Sequence, residues 1–274
     1  MNDEIRTLIA VALGRTALVI FSVLILYQIF SAISGRRHFI RRIPGLSAID
    51  EAVGRATEMG RPISFSIGLG GLDIITLQAL AVAIHVIRMC VRFGNRLILT
   101  MMDPTMYAVA DEAVREAYTE EGRPEAFNED DVRFLSDRQF AYASAMVGII
   151  NREQVASNFM FGLFFAESLI LAEAGNQVGA IQVAGTPSTT QIPFFVAACD
   201  YTIIGDEYYA ATAYLTREPV LTGSLVGQDF GKMLLLGAVL AATLWVSFYE
   251  PMQHGHPGLN WASQLREIVR NAGR

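Results

Sequence analysis

Three short runs of this 274-residue chain bring together residue types that could do chemistry. Gly68, Gly70 and Gly71 follow an expected strand, Ile63 to Ile67, and open a helical pattern; the next expected strand ends in Asp103. Glycines let a chain turn tightly and approach a phosphate, helix-start amides attract it, and an acid closing the second strand would hold a ribose hydroxyl. Gly68, Gly70, Gly71 and Asp103 are therefore candidates for a nucleotide or small-anion site. Asp73 stands where the third glycine of that fingerprint belongs and adds negative charge at the helix start. Asp73, and Asp103 before Pro104, also read as helix caps. The second run, Gly185-Thr186-Pro187-Ser188-Thr189-Thr190, offers Thr186 and Ser188 to an anion or to a helix end. The third is a set of acids among apolar residues, Glu167, Glu173, Asp206 and Glu207, which could act as acid or base groups but are expected on a solvated rim.

The scarce residue types narrow the chemistry. Lys232 is the one lysine, and it abuts an apolar stretch, so a P-loop lysine or a Schiff-base lysine is missing from the rest of the chain. His85 is the one histidine between residues 44 and 224, and a serine nucleophile at Ser188 would have to use it or a carboxylate as base. Cys90 and Cys199 are expected to be reduced, buried thiols. His254 and His256 with Glu250 could bind a metal only weakly. No catalytic residue or metal site is assigned, and the cofactor is unknown.

These groups must be positioned by something, and the largest-scale pattern is two apolar stretches. Ala17 to Ile33 holds 17 uncharged residues and runs into Arg36, Arg37, Arg41 and Arg42; Met233 to Phe248 holds 16. With residues 8–33 and 230–249 as spans, the arginines place residues 44–224 in the cytoplasm and both termini, with the tail 250–274, outside. Trp245 and Tyr249 suit an interfacial belt, and Trp261 to Arg274 reads as an amphipathic surface helix. Leu72 to Ile87 and Phe159 to Ala172 are also apolar, but Asp73, Gln78, His85 and Glu167 interrupt them, so both are expected in a protein core. Thr222 to Gln228 reads as a linker. Between Pro44 and Ser224 there are 22 Asp and Glu against 11 Arg, a net charge of −11, which argues against nucleic acid as a partner.

Strands are expected at Ile63–Ile67, Arg96–Met101, Val132–Leu135, Phe159–Phe164, Ala180–Ala184 and Tyr201–Ile204. Helices are expected at Leu46–Met59, Ile74–Phe93, Pro104–Glu120, Gln139–Glu153, Ala166–Ala174 and Thr190–Ala198. Such alternation predicts an α/β fold, a three-layer Rossmann-like domain between two transmembrane helices. Two strand–turn–helix–strand units, from Ile63 and from Gly179, echo each other as the shared grammar of such folds does.

Around Gly185, Ser188 and Ala198-Cys199-Asp200 the chain is similar to the Clp protease and crotonase group, which implies an oxyanion hole and a membrane-bound serine hydrolase around Ser188. Over most of its length, with ACDYTIIGDEYYAATAYL followed by GSLVGQD and the second span, it resembles an uncharacterised bacterial membrane family. The expected role is a non-enzymatic scaffold or oligomerising assembly protein of the inner membrane, its partners the lipid bilayer and further copies or a larger assembly. Gly237, Ala238, Ala241 and Ala242 would permit close helix packing. A nucleotide or small-anion sensor at the glycine turn is the alternative.

Overall fold

The computed structural model describes residues 3–35, 44–216 and 219–248. Arg36, Arg37, Arg41, Arg42, Tyr249, Glu250, His254, His256 and the stretch Trp261 to Arg274 lie outside them, as does the side chain of Trp245. The chain divides into two compact units, one of residues 39–222 and one of residues 1–38 with 223–274.

In the larger unit, α2 (Pro44–Met59) leads into β1 (Ile63–Gly68), α3 (Ile74–Phe93), β2 (Leu97–Met101), α4 (Pro104–Glu120) and β3 (Val132–Phe134). There follow α5 (Gln139–Glu153), β4 (Ser157–Leu163), α6 (Glu167–Gln177), β5 (Ile181–Thr186), α7 (Ile192–Ala198), β6 (Tyr201–Ile204) and α8 (Asp206–Thr216). The six strands form one parallel sheet in the order β3-β2-β1-β4-β5-β6. That is the doubly wound order, which reverses direction between β1 and β4.

Side chains alternate across a strand, so each strand feeds two cores. Ile63, Phe65, Ile67, Phe159, Phe161 and Val183 pack with α2, α3, α4 and α8. Met160 and Ala184 pack with Tyr142, Met146, Leu171 and Phe195 of α5, α6 and α7. Cap chemistry sets the helix bounds: Asp73 and Asp103 cap α3 and α4, Pro104 occupies the first turn of α4, and Gly94 closes α3 at φ +71°. The helix α8, which the sequence pattern does not announce, carries Asp206 and Glu207 in its first turn and joins α3 through a hydrogen bond of 2.7 Å from the Tyr208 hydroxyl to the Ile75 carbonyl.

The smaller unit holds α1 (Asp3–Ile33) and most of α9 (Pro219–Phe248). The expected linker Thr222 to Gln228 is corrected here: it is helical, so α9 begins well before the apolar stretch. Gly223, Gly227 and Gly231 explain why glycines stand in a helix. A Cβ on each would come within 2.6, 2.9 and 2.3 Å of Ile29, Ile25 and Phe21, so they form a four-residue ridge on which antiparallel α1 lies close. Gly237, by contrast, meets nothing within 4 Å among the described residues.

Among the described residues, three helices are long and apolar enough to cross a membrane, in Gly14–Ile33, Ile74–Phe93 and Pro219–Leu244. Burial separates them: 56% of the α3 window is buried, against 6% and 11% for the other two. Most apolar side chains of α3 are buried in the domain core, whereas those described on α1 and α9 are exposed over most of their length, the condition of a helix in lipid. The other internal stretch, Phe159 to Ala172, is not one helix but the body of β4, a turn and the start of α6.

Candidate functional site: the crevice between β1 and β4

In an open parallel sheet, ligands bind outside the carboxyl ends of the strands where the order reverses. Here that point is the exit of β1 and β4, and the chain crowds it. Gly68 has φ +80°, and a Cβ on it would lie 2.3 Å from the Leu163 carbonyl oxygen; Gly162, at φ +124°, bears the same relation to the Ile67 carbonyl. The Leu69 amide donates to the Leu163 carbonyl at 2.8 Å, and the β1–β4 register shifts between Ser66 and Gly68. Gly68 is thus required by two strand backbones in contact.

Gly70 serves the next turn. A Cβ on it would lie 2.0 Å from Thr76 Oγ1 and 3.0 Å from Asp73 Oδ2, so the residue keeps room for the start of α3. Asp73 Oδ1 accepts from the Thr76 amide at 2.8 Å, and Asp103 Oδ1 accepts from the Met106 amide at 2.8 Å. Gly71 faces Asp103, whose Oδ2 lies 3.6 Å from where a Cβ would stand. The four residues singled out in sequence, Gly68, Gly70, Gly71 and Asp103, thus meet at one turn. The helix start that would receive a phosphate has its own carboxylate on it.

At the exit of β5, Thr186 is buried and its hydroxyl accepts from the Ser188 amide at 3.2 Å; the Ser188 hydroxyl pairs with Thr190 Oγ1 at 2.9 Å. Thr190 is the one side-chain partner of the Ser188 hydroxyl among the described residues. His85 lies on α3 with Asp50, Arg88 and Arg92 as its charged neighbours. Burial lowers its pKa from 6.5, Asp50 opposes that, and the two arginines reinforce it. Burial raises both thiols, Cys90 and Cys199, to about 12, so neither is a thiolate nucleophile near neutral pH.

Glu167 corrects the expectation of a solvated rim. It is fully buried at the start of α6, where Oε1 accepts from the Phe165 amide at 2.7 Å and Oε2 from Gln139 Nε2 at 2.5 Å. Glu173, Asp206 and Glu207 are exposed. Near Glu167 lies Tyr142, fully buried, its hydroxyl 2.6 Å from Ser66 Oγ and 3.2 Å from Thr100 Oγ1. Burial pushes this phenol up to about 12; Ser66 and Thr100 pull it down and Glu167 pushes it further up. Neither Gln139 nor Tyr142 stands out in sequence, because both sit in an ordinary amphipathic helix pattern.

Around these groups the carboxyl ends of the strands and the first turns of the helices carry exposed apolar side chains, among them Leu72, Ile74, Phe140, Phe165, Leu169 and Phe194. Ile74 is 67% exposed and Leu72 60%, unusual for residues so close to a core. The opposite ends of the strands are furnished with ion pairs instead: Arg96 with Asp131 at 2.7 Å and with Glu153 at 3.0 Å, and Arg133 with Glu153 at 3.8 Å. Among the described residues, no group of three or more His, Cys, Asp or Glu is arranged to hold a metal ion.

Residues 8–256 match the model of a family described as a domain of unknown function, DUF6754, and the chain belongs to that family. No curated protein and no solved structure matches it.

Proposed function

We propose that this member of the family is a membrane-anchored, non-enzymatic scaffold that assembles with further copies of itself. Its α/β domain lies on the cytoplasmic side of a bacterial inner membrane, with both termini outside. The antiparallel α1–α9 pair supports that topology, since it puts Ile33 and Gly223 at one end and Gly14 and Leu244 at the other. The arginines that follow α1 in sequence supply the orientation. The assembly reading rests on one observation, the exposed apolar side chains that frame the crevice where a ligand-binding domain would present polar groups. The test is the mass of the detergent-purified full chain by light scattering. A discrete homo-oligomer that Ile74→Glu with Phe165→Glu dissociates, with the circular dichroism of the domain unchanged, supports the reading. A monomer at all concentrations sinks it.

The strand order favours one second reading, a nucleotide or small-anion sensor at Gly68, Gly70, Gly71 and Asp103. A thermal shift with ATP, NAD or phosphate that is lost in Gly71→Leu would establish it. Gly71 is the position to change, because a Cβ there meets only Asp103 at van der Waals distance, whereas one on Gly70 would strike Thr76.

A further inference from the structure

Asp73 and Asp103 each spend one oxygen on a helix cap and keep the other free. Oδ1 of each accepts the capping amide, and Oδ2 of each has no hydrogen-bond or ion-pair partner among the described residues. The two free oxygens flank consecutive glycines: the Cβ position of Gly70 is 3.0 Å from Asp73 Oδ2, and that of Gly71 is 3.6 Å from Asp103 Oδ2. Each carboxylate stands at a helix start, which ordinarily welcomes one anion, and each is left without an ion pair among the described residues.

A separate feature points the same way. Thr76 is fully buried, and its Oγ1 has no hydrogen-bond partner among the described residues. Buried hydroxyls are almost always paired, and one left alone costs roughly as much as a lost hydrogen bond. This oxygen is turned toward Gly70, 2.0 Å from its Cβ position, on the same turn that Asp73 Oδ2 approaches. Two carboxylate oxygens and a hydroxyl oxygen therefore approach the Gly70–Gly71 segment, where a side chain on Gly70 would strike two of them.

We propose that this turn holds a hard divalent cation, Mg2+, through Asp73, Asp103 and Thr76. Oxygen ligands suit a hard cation. Mg2+ in particular keeps several waters and takes one or two carboxylates from the protein, whereas Ca2+ asks for a fuller set of protein oxygens. The ion neutralises the two charges and gives the Thr76 hydroxyl a partner. It also resolves the conflict at the start of α3, where an acid stands in place of the expected glycine. The site is independent of the assembly reading.

Asparagine is as good a helix cap as aspartate, so Asp73→Asn and Asp103→Asn keep the caps and remove the charge. The experiment titrates Mn2+ into the detergent-purified full chain, follows loss of the free-ion EPR signal, and then displaces the ion with MgCl2 and, separately, CaCl2. The expected result is one site with Kd on the order of 10⁻⁴ to 10⁻³ M. MgCl2 should displace the ion at least as well as CaCl2. Each Asn variant should bind ~10-fold or more weakly, and the double variant should not bind in this range. Thr76→Val should bind more weakly by a smaller factor. Absence of Mn2+ binding to the unaltered chain at millimolar concentration overturns the proposal. Equal binding by the double Asn variant, with its thermal unfolding unchanged, does so too, since it assigns the ion to some other part of an acidic domain. Oligomer mass is read on the same samples, so failure of the site and failure of the scaffold remain separate results.

Discussion

Both faces of the sheet bury an apolar cluster, but only one of them adds a ladder of buried polar side chains. Under α2, α3, α4 and α8 the contact is apolar and aromatic: Phe65 stacks on Phe159 and Phe161 at ring-centroid distances of 5.7 and 5.5 Å, and Phe161 meets Tyr208 at 6.4 Å. Under α5, α6 and α7 the sheet presents a buried polar ladder. Ser64 Oγ donates to Asn158 Oδ1 at 2.9 Å, Asn158 Nδ2 to Gln182 Oε1 at 3.1 Å, and Gln182 Nε2 to the Ala172 and Ala198 carbonyls at 2.8 and 3.2 Å. Beside it stand Ser66, Thr100 and Tyr142. Apolar burial is non-directional and rewards any close fit, whereas a buried hydrogen-bond chain is favourable only when every member is placed. The first face is therefore expected to supply the larger share of the stability, and the ladder of the second to specify which strand lies beside which.

The largest effect should come from the aromatic face. Phe161 touches Phe65, Phe159 and Tyr208 and leans on Gly185, whose added Cβ would lie 2.6 Å from its ring. Phe161→Ala is expected to cost ~3–5 kcal/mol by chemical denaturation of the α/β domain in the full chain. A loss under ~1 kcal/mol would mean that this face is not the main store of stability.

Next comes the ladder. Asn158→Ala strands Gln182 Oε1 in the core and should cost ~1–3 kcal/mol. Its lesson lies in the comparison with Asn158→Leu: if the ladder served only to fill space, leucine would restore what alanine loses. Gly175 offers an independent probe, because a Cβ there would stand 2.3 Å from Gln182 Oε1; Gly175→Ala should behave like a broken ladder although it removes no hydrogen-bonding group. Smaller still is Tyr142→Phe, which removes one hydroxyl yet leaves Thr100 its bond to the Phe65 carbonyl at 3.2 Å, for a loss of ~1 kcal/mol.

The difference between the faces also marks what the sequence discloses. Ile63 to Ile67 reads as an alternating strand, and alternation ordinarily means one wet face. Here helices cover both, so Ser64 and Ser66 are buried although their pattern advertises solvent. The helices α3, α4 and α5 are legible to the residue because Asp, Pro and Gly punctuate them or their apolar period is long. The start of α9 is not, since Gly223, Gly227 and Gly231 look like breakers until α1 is seen lying on them. At the crevice, the glycines and Asp103 are legible as a turn. The burial of Glu167 and the free Thr76 hydroxyl depend on neighbours brought in from other elements, which local spacing does not carry.

The smallest effect is one of pH, and it separates the helices of the aromatic face from its sheet. Outside the aromatic contact, the half-buried His85 of α3 has the exposed Asp50 of α2 as a charged neighbour, with Arg88 and Arg92 on its own helix. Burial depresses the folded-state pKa of His85 below its unfolded value of 6.5, so between the two values the unfolded chain binds more protons than the folded one. Stability is then complete above pH 6.5 and declines as pH falls through that window toward the folded value. His85→Gln keeps a polar side chain and removes the titration. Melting temperatures of the two proteins from about pH 8 to about pH 5 should therefore diverge on the acid side, the variant losing less. Curves that diverge the other way, with the unaltered protein gaining on the acid side, would show that Asp50 holds the ring charged in the folded state, making the α2–α3 contact an ion pair. The aromatic face would then be dry at the sheet and charged one layer out, a sharper contrast with the polar ladder across the strands.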